Sequence, residues 1–208
     1  PSLDHIRELD VLSLQELNEQ LEIEITGPTL LVTYHPVTLE YEQTETHVRE
    51  LLAALEEIDH PVVFTYPNSD TSGRLIIKMI HDFGNRHERA TVAVNLGTQA
   101  YLSLMSHVTA MVGNSSSGII EAASFKLPVV NIGSRQRGRI HDRNVINVGY
   151  NRDAILDGIT KAVSSDFQNS LQDLVNPYGD GQAAGKIVDR LKEVQIDLRM
   201  LQKSFYDS

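Results

Sequence analysis

The sequence predicts an α/β fold, a Rossmann-like parallel sheet with helices on both faces. Two observations lead to this fold class. From Thr29 onward, short runs rich in β-branched residues alternate with segments of helical periodicity. Within residues 109–133, an apolar run, a small-residue turn, a helix-compatible segment and a second apolar run follow one another, which is the order of a βαβ unit. Strands that alternate with helices in this way pair in parallel, and the helices cover both faces of the sheet.

Six apolar runs are predicted as strands, and the helices lie between them. The predicted strands cover residues 30–34, 62–66, 91–95, 108–112, 129–132 and 145–148. One helix repeats its apolar residues at i, i+3, i+4 and i+7, namely Val48, Leu51, Leu52 and Leu55. The next helix has one apolar face, formed by Leu75, Ile76, Met79, Ile80 and Phe83. No repeat, low-complexity tract or linker divides the sequence, so we expect one domain over residues 1–208.

Composition narrows the function classes. A formal net charge of −10 argues against a general nucleic-acid binder, because such a protein needs a basic surface. The lack of cysteine excludes disulfides, thiolate metal sites and a cysteine nucleophile, and it suits a reducing compartment. No apolar run approaches the roughly 20 residues of a membrane span, and residues 1–10 lack a signal-peptide pattern. We therefore expect a cytoplasmic protein that binds neither nucleic acid nor membrane.

A serine-rich turn stands between the fourth predicted strand and the helix-compatible segment. Residues 113–118 read Gly-Asn-Ser-Ser-Ser-Gly. Ligands bind at the carboxyl edge of a parallel sheet, and the N–H groups of a helix start attract anions, phosphates above all. Ser and Asn before a helix are also ordinary capping residues. Because Ile120 lies three residues after Ser117, no Ser-x-x-Glu capping box forms, and Glu121 is left without that structural role. The turn is predicted as an anion site, with simple capping as the alternative.

Three other polar loops follow strands at the same edge. They are His35-Pro36-Val37-Thr38, Pro67-Asn68-Ser69-Asp70, and Asn95-Leu96-Gly97 ahead of a helix that contains Tyr101. Each has an ordinary explanation by itself, since a lone histidine, a polar turn and a core tyrosine are all common. Four polar loops on one edge together indicate a site. No pair of histidines has zinc-helix spacing with a carboxylate, so we expect no metal and no other cofactor.

A basic loop follows the fifth strand. It contains Arg135, Arg137, Arg139 and Arg143. Solvated arginines are common in surface loops, but this loop lies at the same edge as the serine-rich turn, which favours contact with a ligand.

Residues 182–206 are predicted as a long carboxyl-terminal helix. Its apolar residues repeat at spacings of four and three, as in a coiled coil, namely Ile187, Leu191, Val194, Leu198, Leu201 and Phe205. This apolar face is either the last core helix extending past its sheet or a surface for another domain or subunit.

At these residues the chain resembles the hydrolysing UDP-N-acetylglucosamine 2-epimerases of sialic acid biosynthesis, specifically their carboxyl-terminal half. Six segments match in order, and they are residues 1–7, 35–38, 67–70, 113–121, 131–139 and 176–181. The resemblance implies the second half of a GT-B fold, which holds UDP while the sugar lies between the two halves. It also implies UDP and UDP-sugars as ligands and a missing amino-terminal domain of the same enzyme as a partner. We further expect a homo-oligomer.

The resemblance also assigns roles to residues. It places Ser115, Ser116 and the adjacent Ser117 at the diphosphate. It places Glu121 on the ribose hydroxyls, in the first helical turn, where the helix dipole keeps a carboxylate ionised. It further implies that Asn68 contacts the nucleotide and that Leu96, through its backbone, and Tyr101 border the uracil. Arg135, or Arg137 or Arg139 in its place, would pair with the diphosphate. His35 would be catalytic.

The reaction implied is elimination of UDP to an unsaturated 2-acetamidoglucal, followed by hydration to N-acetylmannosamine. His35 would hydrogen-bond the leaving diphosphate or the sugar, or donate a proton. In the family the acids come from the amino-terminal domain, so this chain alone is expected to be inactive. Alternatives are a GT-B glycosyltransferase, a related epimerase acting on UDP-diacetamido sugars or GDP-sugars for legionaminic acid, and a non-catalytic nucleotide-binding module.

Overall fold

The computed structural model describes residues 2–23, 25, 27–70, 72–94 and 96–195. The strands are β1 (Leu30–Thr33), β2 (Val62–Thr65), β3 (Ala90–Ala93), β4 (Ala110–Gly113), β5 (Val129–Ile132) and β6 (Val145–Val148). The α-helices are α1 (Ser2–Arg7), α2 (Leu14–Leu21), α3 (Thr44–Glu56), α4 (Gly73–Gly84), α5 (Gly97–His107), α6 (Ser117–Ile120), α7 (Arg152–Val163), α8 (Ser165–Asn169) and α9 (Ala183–Glu193). Two short 3-10 helices cover Thr38–Gln43 and Ala122–Phe125.

The strands form one six-stranded sheet in the order β3-β2-β1-β4-β5-β6, and every pair is parallel. The strand order reverses direction between β1 and β4, which are hydrogen-bonded neighbours in register from Leu30 with Ala110 to Thr33 with Gly113. In an open α/β sheet, the crevice outside the carboxyl ends at such a switch point is the usual ligand site. The predicted parallel α/β sheet is confirmed.

The core has two layers because successive strand residues point to opposite faces of the sheet. In β1, Leu30 and Val32 belong to the cluster that packs under α3, α4 and α7, whereas Leu31 belongs to the cluster under α5 and α6. The predicted apolar faces are confirmed, since Val48 of α3 and Ile76 of α4 are both fully buried. Helices therefore cover both faces, and the carboxyl edge of the sheet is left to the loops.

Four of the six strands differ from their predicted bounds by one or two residues at their ends. The last two strands have the predicted bounds, while β1 and β2 each end one residue early. The fourth strand begins at Ala110 rather than 108, because Val108 ends α5 by donating its N–H to the Leu104 carbonyl at 3.1 Å. The third strand covers 90–93 rather than 91–95, and Asn95 lies outside the described residues.

The first and last described helices contact each other. The Asp4 carboxylate of α1 accepts a hydrogen bond from the Ala184 N–H of α9 at 3.2 Å. Gly181, with a φ of 75°, lies so close to α1 that an added Cβ would stand 2.5 Å from the Leu3 carbonyl oxygen. The chain therefore returns to its own beginning just before α9 starts.

The last described helix is shorter than the predicted helix over residues 182–206. Helix α9 ends at Glu193, because Val194 takes an extended backbone with φ −72° and ψ 121°. Its apolar face is open to solvent, since Ile187 is 50% and Leu191 is 61% exposed. The rest of the predicted apolar face, Leu198, Leu201 and Phe205, lies outside the described residues.

None of the helices formed by the described residues is long and apolar enough to cross a membrane.

Candidate functional site

Two adjoining cavities open at the carboxyl edge of the sheet, at the switch point between β1 and β4. One measures about 360 Å³ and is lined by Thr33, His35, Thr65, Tyr66, Val94, Leu96, Gly97, Tyr101, Ser115 and Ser117. The second measures about 340 Å³ and is lined by His5, Gly97, Thr98, Tyr101, Leu102, Ser117 and Glu121. They share Gly97, Tyr101 and Ser117 and so form one continuous recess. Most of the predicted site residues line it.

His35 lies at the end of β1, and its ring is a neutral imidazole. Burial and the nearby Arg135 charge lower the pKa of His35 to about 4. The Asn68 N–H donates to Nδ1 at 3.0 Å, so the neutral ring has its proton on Nε2. The structure thus joins two predicted residues from different loops, and it leaves His35 with an N–H donor rather than a full positive charge.

Asn114 holds the His35 loop to the serine-rich turn. This side chain is fully buried, and it bonds both backbone groups of His35, accepting from the N–H at 2.7 Å and donating to the carbonyl at 2.9 Å. Its backbone carbonyl accepts from Arg135 Nη1 at 3.1 Å and from Gln136 Nε2 at 2.7 Å. Sequence reasoning assigned Asn114 no role, since an asparagine in a turn has many ordinary explanations. Its position directly after a buried strand was the available signal.

Arg135 is a half-buried cation at the carboxyl edge of the sheet. Burial lowers the pKa of its guanidinium, and the nearby Asp70 charge partly opposes this. Among the described residues, no carboxylate forms an ion pair with Arg135. Arg137 and Arg139 are exposed, which favours Arg135 among the three alternatives. Arg143 is engaged elsewhere, because it pairs with Asp173.

The serine-rich turn is shaped by close backbone packing. Gly113 has a φ of 136°, and an added Cβ would lie 2.0 Å from the Thr33 carbonyl oxygen, so only glycine fits there. Ser116 occupies the N-cap position of α6 but its side chain makes no capping hydrogen bond. The Ser117 N–H reaches Ser115 Oγ at 3.3 Å, a long contact. Side-chain capping therefore accounts for little of this turn.

The helix after the turn is one turn long, and this corrects the expected position of Glu121. Helix α6 covers Ser117–Ile120 and passes into the 3-10 helix Ala122–Phe125, which Pro128 closely follows. Glu121 stands at the C-cap of α6 and not within the first helical turn. A helix this short has only a weak dipole. Contacts with an anion at this edge must therefore come from side chains and individual N–H groups.

Tyr101 rises from α5 between the two cavities. Burial raises the pKa of its phenol, and the hydroxyls of Ser117, Thr33 and Ser115 partly oppose this. Beneath it, the Thr33 and Thr65 hydroxyls share a 2.6 Å hydrogen bond across β1 and β2. Leu96 borders the same recess, which gives the site an apolar and aromatic wall beside its hydroxyl groups.

The structure brings together most of the residues predicted for the site. His35, Leu96, Tyr101, Ser115, Ser117 and Glu121 line the recess, and Asn68 and Arg135 join it through His35 and Asn114. Ser116 is half-buried between Ser115 and Ser117. His5 of α1 also lines the recess, although sequence reasoning gave it no role. No cluster of three or more His, Cys, Asp or Glu suited to a metal occurs in the described part of the chain.

Comparison with known proteins identifies the family. The family model described as UDP-N-acetylglucosamine 2-epimerase matches residues 1–192. A Campylobacter jejuni protein named GDP/UDP-N,N'-diacetylbacillosamine 2-epimerase (hydrolyzing) is 36% identical over 205 residues, which cover 97% of this chain and 53% of that protein. A Legionella pneumophila UDP-N,N'-diacetylbacillosamine 2-epimerase (hydrolyzing) is 32% identical over 203 residues, covering 98% of this chain and 52% of the relative. The chain therefore spans about half the length of these relatives.

Solved structures share the fold at low identity. Staphylococcus aureus MnaA, solved with UDP, has a TM-score of 0.70 at 16% identity and aligns with 92% of this chain and 52% of its own. The Neisseria meningitidis UDP-GlcNAc 2-epimerase bound to UDP-GlcNAc has a TM-score of 0.66 at 17% identity, covering 93% of this chain and 52% of that one. The predicted fold class, one Rossmann-like half of a GT-B architecture, is confirmed. With a family model matched over nearly its whole length, the chain belongs to the UDP-N-acetylglucosamine 2-epimerase family.

Proposed function

We propose that this chain is the UDP-binding, carboxyl-terminal half of a hydrolysing UDP-sugar 2-epimerase. One observation supports the proposal above all others. Arg135 is half-buried at the carboxyl edge and, among the described residues, has no carboxylate partner. A desolvated guanidinium is stabilised by an anion, and its planar fork suits phosphate oxygens.

The diphosphate would lie between Arg135, His35 and the serine-rich turn. The three groups are already joined, because Asn114 bonds both the His35 backbone and the Arg135 guanidinium. The Nε2–H of a neutral His35 and the Ser116 hydroxyl would add uncharged donors. The site would thus bind an anion with one full positive charge and several hydrogen-bond donors.

The nucleoside would occupy the recess beside Tyr101. Leu96 and Tyr101 supply flat or apolar walls for a base, and Glu121 supplies a carboxylate that accepts hydrogen bonds from ribose hydroxyls. His5 borders the same cavity and would also face the nucleoside. These contacts extend the anion site into a site for a whole nucleoside diphosphate, with Asn68 beside the sugar-phosphate end.

In the proposed reaction, breaking the anomeric C–O bond leaves negative charge on the departing diphosphate. Arg135 and the neutral His35 would stabilise that charge where it develops, an electrostatic contribution that is often the largest in catalysis. Because the pKa of His35 is about 4, the ring is neutral near pH 7. It would therefore donate a hydrogen bond through Nε2–H and would not transfer a proton as an imidazolium. Proton removal at C2 would require acids of the absent half, so this chain alone would bind UDP without turnover.

Two sugars are candidates for the substrate. The relatives from Campylobacter jejuni and Legionella pneumophila are named for diacetylbacillosamine, which favours a UDP-diacetamido sugar. A Neisseria meningitidis relative named UDP-N-acetylglucosamine 2-epimerase is 30% identical over 166 residues, which keeps UDP-N-acetylglucosamine and its product N-acetylmannosamine as the second candidate. The pathway, sialic acid or legionaminic acid, follows from that choice.

Calorimetry with UDP on the 208-residue chain tests the proposal, together with a product assay on the same sample. We expect binding of UDP and no release of sugar. Incubating the longer parent protein with each UDP-sugar and no acceptor then separates an epimerase from a glycosyltransferase, because only the former releases a free 2-epimeric sugar with UDP. Absence of UDP binding would refute the proposal.

A further inference from the structure

A second polar cluster at the same sheet edge joins two loops of the recess without lining it. Glu40 lies in the 3-10 helix that follows the His35 loop. One of its carboxylate oxygens accepts from Ser134 Oγ and the other accepts from the Tyr150 hydroxyl, each at 2.5 Å. The partners are 94 and 110 residues away along the chain, so these bonds connect distant segments of the fold.

Tyr150 is held in place from three sides. Its ring stacks on buried His47 at 3.6 Å with an interplanar angle of 3°. Its hydroxyl accepts the Ser134 N–H at 2.9 Å. Gly133 has a φ of 74°, and an added Cβ there would lie 2.1 Å from the ring, so the ring occupies the space that any side chain would need. Ser134 is therefore bonded through both its N–H and its hydroxyl to one rigid unit.

Glu40 is an ionised member of this cluster. The hydroxyls of Ser134 and Tyr150 hold the pKa of its carboxyl below the usual value, and the charges of His47 and Arg137 act in the same direction. Hydrogen bonds to a charged group are stronger than neutral ones. The carboxylate thus fixes the orientation of both hydroxyl groups.

Ser134 immediately precedes Arg135, and this gives the cluster its significance. Beyond Ser134, the loop is held a second time where Arg135 and Gln136 donate to the Asn114 carbonyl. The loop is therefore fixed at both ends of the arginine, by Glu40 on one side and by Asn114 on the other. We propose that Glu40 is a positioning residue that sets Arg135 for the diphosphate through Ser134 and Tyr150. This inference rests on the proposed function.

A purely structural role for Glu40 makes a different prediction. In that case its removal lowers the free energy of unfolding, and any loss of UDP affinity is independent of Arg135. A positioning role makes the two residues act as a unit, so their effects are not additive. A double-mutant cycle on UDP affinity separates these roles.

The experiment is calorimetry with UDP on the wild-type chain, Glu40→Gln, Arg135→Ala and the double variant. We expect Glu40→Gln to weaken UDP binding by about 2- to 30-fold, the range for residues that couple to a site through other groups. In the Arg135→Ala background, the same substitution should change affinity by less than about 2-fold. Glu42→Gln is the matched control, because Glu42 lies in the same 3-10 helix and its carboxylate accepts a hydrogen bond from the neighbouring Tyr41 hydroxyl. This variant should bind UDP as the wild type does.

Ser134→Ala provides a second test if Glu40→Gln fails to fold. It removes one hydroxyl from the carboxylate and leaves Tyr150 bonded, and it should weaken UDP binding in the wild-type but not in the Arg135→Ala background. Equal losses of UDP affinity in both backgrounds would overturn the inference but would leave the proposed UDP-binding function standing. Wild-type affinity in Glu40→Gln would overturn it as well. If the wild-type chain binds no UDP, the proposed function fails first and the inference fails with it.

Discussion

The neutral state of His35 makes the stability of the chain depend on pH in a defined window. The pKa of His35 is lowered to about 4 in the folded chain, mainly by burial and also by Arg135, against about 6.5 when unfolded. Between these values the unfolded chain binds more protons, so the free energy of unfolding rises with pH. The contribution is complete above pH 6.5 and is lost as the pH falls toward 4. From pH 7 to pH 5 the loss is ~1.8 kcal/mol.

The substitution His35→Asn isolates this contribution. Asn Oδ1 replaces Nδ1 as the acceptor for the Asn68 N–H, whose bond is 3.0 Å long, while the titrating ring is removed. Urea unfolding at pH 7 and pH 5 should show the wild-type chain losing ~1.8 kcal/mol more than the variant over this interval. Other titrating groups cancel in the difference. NMR titration of the His35 ring gives an independent value.

Equal pH dependence in the two proteins would refute the reasoning. A His35 resonance titrating near 6.5 would do the same, because it would mean that the ring is hydrated and able to carry a proton at neutral pH. His35 would then be expected to act as an imidazolium that donates a proton to the leaving group.

Four further substitutions test the site and its scaffold. Glu121→Gln and Ser116→Ala should each weaken UDP binding about tenfold or more in calorimetry, since a lost hydrogen bond to a charged group costs ~1.5–3 kcal/mol. The melting temperature should not change. Unchanged UDP affinity in both variants would mean that the serine-rich turn serves only to cap the helix. Gly133→Ala should lower the free energy of unfolding in urea far more than Gly138→Ala. Both glycines have positive φ, but only at Gly133 would the added Cβ lie 2.1 Å from an aromatic ring. Equal losses of stability would mean that the ring moves away freely. His35→Ala in the longer parent should lower kcat by roughly 10²–10³, the usual loss for one hydrogen-bond donor to a developing negative charge, with little change in KM. A raised KM at constant kcat would make His35 a binding residue.

The fold class could be predicted because periodicity is local. Alternation along β1 places Leu30 and Leu31 on opposite faces, and both are fully buried, as a strand covered on both sides requires. Loop composition then located the site, since polar residues follow several strands at one edge. The position expected for Glu121 was wrong because α6 ends after one turn, and its end depends on packing, with Gly118 pressed against Val129 (an added Cβ would lie 2.8 Å from its side chain).

The bonds that hold the site together could not be predicted from one sequence. Asn114 bonds a residue 79 positions away, and Glu40 bonds one 94 positions away. No periodicity or spacing encodes such a pair, because the partners meet only after the strands have assembled. The neutral state of His35 was also out of reach, since it depends on burial and on the nearby Arg135 charge.

The pairing of β1 with β4 links the recess to the folding of the chain. Leu30 pairs with Ala110, so this contact closes a segment of about 80 residues that contains β2 and β3. Closing so long a segment costs entropy before its contacts form, and strand pairings of this kind are intrinsically slow. Asn114 and His35 meet only when β4 docks on β1. A ligand could therefore bind in the recess only after β4 has paired with β1. A fragment that ends before β4 would contain the residues of at most one side of the recess.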